Sequence, residues 1–192
     1  MKNQNLSDAD LAAYSGEHLR YEFHYFWFAA KEASKFDKPE PMASVFIESF
    51  VIHLRNLIDF FCIQAGKEQP DDVIASDFCP GWNEPLSSTL KDARERANKE
   101  LSHLTLQRKP GLDPSKQWDL DGLYKEVISI ARRFVSQAST AKLSPEIGKW
   151  LPQADLRPTV VAVGPAIMAT NTTTTMTTYV YTALVTPPQI DP

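Results

Sequence analysis

Cysteine is scarce. Cys62 and Cys79 are the only two in 192 residues, one inside an apolar helical pattern and one in a loop. That number excludes a disulfide framework and a cysteine-built zinc site, and it fits a reducing compartment. Positive charge is not in excess either. A formal net charge of −4 and a pI near 5.6 exclude a coat that binds nucleic acid non-specifically, but they leave room for a small, locally basic site. No run reaches the roughly 18 apolar residues needed to cross a bilayer. The opening "MKNQNLSDAD" lacks the apolar stretch of a secretory signal. A cytoplasmic protein with no membrane partner is therefore expected. Glycine-rich phosphate loops, Ser or Cys nucleophile motifs, zinc-finger spacings and internal repeats are all missing, so no cofactor and no metal are expected.

What the chain does have is helical periodicity. Apolar residues at 43% and charged residues at 23% are ordinary for a globular domain, and the length suits one core with an appendage. Ser7 and Asp10 read as a capping box opening a first helix to about Phe36, which the prolines of "DKPEPM" end. A second helix, about Ala43 to Ala65, turns a broad apolar face (Phe46, Ile47, Phe50, Val51, Leu54, Leu57, Ile58, Phe61) to one side. A loop to about Pro85 follows, acidic and carrying Trp82. The third helix, about Leu86 to Leu106, has a single stripe at Leu86, Leu90, Ala93, Ala97, Leu101 and Leu104. The fourth runs from about Asp119 to Ala141. The fold class predicted is all-α, a four-helix bundle-like domain over residues 1–150. Residues 151–192 form a Thr/Pro-rich, low-complexity C-terminal tail, β-prone at "TVVAV" and "TTYVYTALV" or disordered.

The third helix carries the candidate chemistry, in "RANKELSHLT". Arg96, Lys99 and His103 stand at i, i+3 and i+7 and share a face beside the leucine stripe. Between Leu86 and Pro110 six basic residues face three acidic ones, so this stretch is basic inside an acidic protein. Cleavage of RNA by its own 2′-hydroxyl needs one proton removed, one supplied, and negative charge held on phosphate oxygens. A histidine titrates in the right range for the first two, and an arginine fork does the third without a metal. The plainer reading is a solvated helix flank in which Arg96 pairs with Glu100.

A helical domain with an arginine, a short gap and a histidine on a late helix resembles the HEPN superfamily. Arg96 and His103, with "ANKELS" between them, match its motif at the upper limit of spacing. The family places a polar residue directly after the arginine; here Ala97 stands there and Asn98 follows. The resemblance implies a small helical bundle, often a homodimer, acting as a metal-independent RNase or an inactive relative in defence, toxin–antitoxin or stress systems. His103 and Arg96 would be catalytic, and Lys99, Asn98, Arg55 and Asn56 would bind the substrate, RNA. Over about residues 15 to 135 the segments "LRYEF", "ESFVIHLRNLIDFF" and "NKELSHLTLQR" are also similar to a group of uncharacterised bacterial proteins, which brings no activity with it.

Helix two offers a second polar set: Glu48, His53, Arg55, Asn56 and Asp59. Such groups are costly to bury unless paired. They read as a network fixing helix register through Glu22, His24 or His103, or as part of a cleft with His103 that binds an anion. A di-metal bundle needs two Glu-x-x-His pairs and two further glutamates. Glu100-x-x-His103, with His18, Glu22 and Glu48 nearby in pattern, falls short. The continuous aromatics of helix one (Tyr21 to Phe28) demand cover on several sides, which a homodimer or another protein partner supplies. The alternative to an RNase is thus a non-enzymatic helical interaction module.

Overall fold

Ser7 opens the first helix by the reciprocal cap its sequence predicts. The Ser7 hydroxyl accepts the Asp10 amide at 3.2 Å, and the Ser7 amide donates to the Asp10 carboxylate at 3.0 Å. In this computed structural model, which describes residues 6–36, 40–101 and 118–151, helix α1 (Asp8–Tyr14) passes into a π-helical segment (Ser15–Leu19) and continues as α2 (Arg20–Ala33). The wider turn has a packing cause. Ser15 is fully buried, and its hydroxyl accepts the Ser144 amide at 2.8 Å while donating to the Ala12 carbonyl at 3.0 Å. A Cβ at Gly16 would stand 3.1 Å from the Ser144 hydroxyl, so any larger residue would have to push Ser144 back by a few tenths of an ångström.

Helix α3 (Pro41–Cys62) starts on a proline at its first turn, where the missing amide costs nothing. It packs antiparallel to α2 as the main helical pair. Then come α4 (Ala75–Phe78), α5 (Ser88–Glu100), α6 (Leu120–Gln137) and α7 (Pro145–Trp150). The fold is all-α, with no strand among the described residues. The four long helices fall where periodicity puts them, with shifted ends. Ser87 caps α5 by accepting the Leu90 amide, so Leu86 lies outside the helix and is exposed. The proposed continuation of that helix to Leu106 falls mostly outside the described residues, as do the tail at 152–192 and therefore the division into domain and tail.

The segment expected to be a plain loop contributes to the core. Phe78 and Trp82 meet Phe60, Phe61 and Phe134 ring to ring at 5.6–6.3 Å. Cys79 is buried beside them. The Trp82 indole N–H donates to the Phe61 carbonyl at 2.8 Å, which satisfies the one polar atom that burial would otherwise orphan. Short α4 arises there because Asp77 accepts the Ile74 amide at 2.9 Å. At the other end α7 seals the core, with Trp150 stacked on Phe23 at 5.0 Å.

Candidate functional site

The polar residues of α3 find their partners on α2 and α5. His53 is 7% exposed, and its Nδ1 lies 2.7 Å from Glu22 Oε2. Asn56 donates to both oxygens of Glu22, at 3.3 and 3.2 Å. Tyr25 stacks on the His53 ring at 5.7 Å, and Tyr21 meets it edge-on at 5.6 Å. A carboxylate at Glu22 thus partners the buried His53 ring and also holds the exposed Asn56 amide. Glu22→Ala is expected to destabilise the fold by about 1–3 kcal/mol through the orphaned, buried His53, with Glu22→Gln costing less. Urea denaturation measures this, and a loss below about 0.5 kcal/mol would mean the network contributes little.

One turn further along α3, Asp59 accepts a hydrogen bond from Nε of Arg94 on α5. Arg55 Nε stands 3.9 Å from the other Asp59 oxygen, beyond hydrogen-bond reach. That Nε is buried and has no partner. A cleft opens around these groups in two lobes of about 470 and 520 Å³, which share Arg55, Asp59, Ile63 and Asp72. Arg94, Cys62 and Lys67 line the first lobe. Tyr14, His18, Glu22 and Asn56 line the second, with Asp71 from the following loop. Positions 14, 18 and 22 follow one another at i, i+4 across the π-helical segment. Tyr14 and His18 touch, with ring centres 4.9 Å apart.

The field in the cleft is negative. Burial raises the Tyr14 hydroxyl above its ordinary value, and the nearby Glu22 and Asp72 charges add to the rise. Burial likewise pushes the Cys62 thiol up to about 12, helped by Glu84 and Asp59. A thiol held in that form is no nucleophile at neutral pH.

The candidates from the sequence divide between two places. Arg55 and Asn56 line the cleft. Arg96 does not face it with Arg94, because residues two apart on a helix point about 200° apart. Its guanidinium lies over the buried Trp118 ring, 4.1 Å from the centroid. Lys99 is exposed and Asn98 half-buried near the end of α5. His103 lies outside the described residues. Sequence reasoning missed Arg94, Tyr14 and Asp72 as cleft residues, and it named His18 only as a metal ligand. The available signal was Asp59, a carboxylate on an apolar helix that required a cation from a neighbour. Among the described residues no cluster of three His, Cys, Asp or Glu side chains is placed to hold a metal. No described helix is long and apolar enough to cross a membrane.

A second feature lies on the outside of the α2–α3 pair. Seven large hydrophobic residues are exposed among those described, and six of them gather here: Tyr21, Tyr25 and Phe28 on α2, and Met42, Val45 and Ile52 on α3. The α2 trio follows i, i+4, i+7, and the α3 trio i, i+3, i+10, so each forms one ridge. Comparison with protein-family models, curated proteins and solved structures gives no match to the chain.

Proposed function

We propose that the chain is a helical interaction module that assembles as a homodimer through the outer face of α2 and α3. What supports this reading is that six of the seven large hydrophobics exposed among the described residues belong to α2 and α3, as one ridge on each helix. Such residues scattered singly need no explanation, whereas a contiguous patch is characteristic of an interface. A second copy suits the face. A twofold rotation lays the aromatic ridge of one copy against the aliphatic ridge of the other, and a symmetric interface requires that self-complementarity. Helix ridges of this kind pack at interaxial distances of about 8–10 Å. Sedimentation over a range of concentrations tests the reading. A species of twice 21.6 kDa that dissociates on dilution is expected, and a monomer at every concentration defeats it.

A second reading, a HEPN-like metal-independent RNase, is favoured by the seat of Arg96. A guanidinium over an indole face is attracted by the ring while remaining a permanent positive charge suited to phosphate. His103 follows Leu101, the last described residue of this stretch, by two positions. In this reading His103 moves protons and Arg96 holds the scissile phosphate. Incubation of a mixed RNA pool with purified protein in EDTA decides the matter. The nuclease reading expects cleavage by the wild type and a loss of about 10²-fold or more in both His103→Ala and Arg96→Ala. Intact RNA with the folded wild type, or cleavage that survives both substitutions, rejects it.

A further inference from the structure

The geometry points to the cleft centred on Arg55 as a binding site for a small zwitterion of the α-amino-acid class, its carboxylate on Arg55 and its ammonium toward Asp71 and Asp72. The site is distinct from the dimer face and from Arg96, and it stands on neither functional reading. The two lobes, about 470 and 520 Å³, lie within the range of small-molecule pockets, roughly 300–1,000 Å³.

Arg55 stands where the lobes join, and it is the underused cation of the cleft. Arg94 donates to Asp59, while Arg55 has only a long ion pair with that same carboxylate at 3.9 Å, its side chain 42% exposed and its buried Nε without a hydrogen-bond partner. A buried donor without a partner is uncommon in a folded protein, and an arginine fork is shaped to receive a planar carboxylate through paired donors. The rest of the lining sets the second charge. Three cations (Arg55, Lys67, Arg94) face four carboxylates (Glu22, Asp59, Asp71, Asp72) across the two lobes. Glu22 is occupied by His53 and Asn56, and Asp59 by Arg94. Asp72 accepts the Gln69 amide with one oxygen. Asp71 and the remainder of Asp72 stay available as acceptors on the loop side. A purely anionic ligand would meet this carboxylate wall. A purely cationic one would leave the Arg55 Nε without an acceptor. A molecule carrying an ammonium and a carboxylate on one carbon answers both.

Thermal unfolding of the full chain in the presence of each standard amino acid, one at a time at millimolar concentration, tests the site. Inorganic phosphate and spermidine serve as probes of a single sign. At least one amino acid is expected to raise the melting temperature by several degrees, as saturation of a native-state site requires. Titration calorimetry with that amino acid should show binding weakened about tenfold or more in Arg55→Gln and less in Arg55→Lys. Arg55 gives the fold only a long, part-exposed ion pair with Asp59, worth at most about 1 kcal/mol, so Arg55→Gln should melt close to the unliganded wild type. The proposal is overturned if no amino acid shifts the transition, if the Arg55→Gln protein binds equally well, or if phosphate or spermidine alone reproduces the rise.

Discussion

Ile52→Lys is expected to leave the helical fold intact and to convert the homodimer to a monomer. Ile52 is 52% exposed on the α3 ridge, so a lysine there remains in water in a single copy. Between two copies the same ammonium, with the exposed Glu48 one turn before it as its nearest carboxylate on the helix, would have to leave water for the apolar ridges. Taking a charge out of water costs several kcal/mol, which an ion pair offsets only with excellent geometry. In a twofold interface the substitution acts twice. Each 1.4 kcal/mol is tenfold in affinity, so association should weaken by about 10³-fold or more. Light scattering after gel filtration measures the mass directly, and circular dichroism checks that helicity is kept. A variant that still runs at twice 21.6 kDa would show that the copies meet elsewhere.

Phe134→Ala should be the most damaging single truncation on stability. Phe134 is fully buried, and its ring touches Phe60, Phe61, Phe78 and Trp82 at 5.4–5.8 Å. It joins α6 to α3 and to the segment around α4. Removing a phenylalanine ring from such a site costs about 3–5 kcal/mol, the lost transfer energy plus a cavity that four rigid rings cannot close. For a domain of this size that lowers the melting temperature by about 10 °C. Calorimetric unfolding is the measurement, and a fall of only a degree or two would mean that the cluster relaxes around the loss.

The parts of this fold legible in the sequence are those governed by local period and capping. Ser7 with Asp10, the stripe Leu90–Ala93–Ala97 and the broad face of α3 each declare themselves within a few residues. The need of His53 and Asn56 for a partner was legible too, with Glu22 among those expected. What sequence reasoning missed depends on contacts far apart in the chain. Phe78, Cys79 and Trp82 sit in a segment rich in turn residues, and only the closing of α3 and α6 around them makes them core. Arg94 and Arg96 look interchangeable as a pair of arginines on a basic helix. Their difference comes from about 200° of rotation and from what lies on each side, Asp59 for one and Trp118 for the other. A reading that weighed only spacing to His103 had no reason to prefer Arg94.

The π-helical segment at Ser15–Leu19 marks a place where the helix carries one residue more than an α-helix of the same length needs. A related chain shorter by one residue at this point would run straight from α1 into α2. It would keep α2 and everything after it in register, while the turns before it would rotate by about 100°. Tyr14 would then leave the line it forms with His18 and Glu22, and the hydroxyl that holds Ser144 would swing out from under α7. Indel variation here therefore reshapes the second lobe of the cleft and the anchoring of α7 together, with α2, α3, α5 and α6 unchanged.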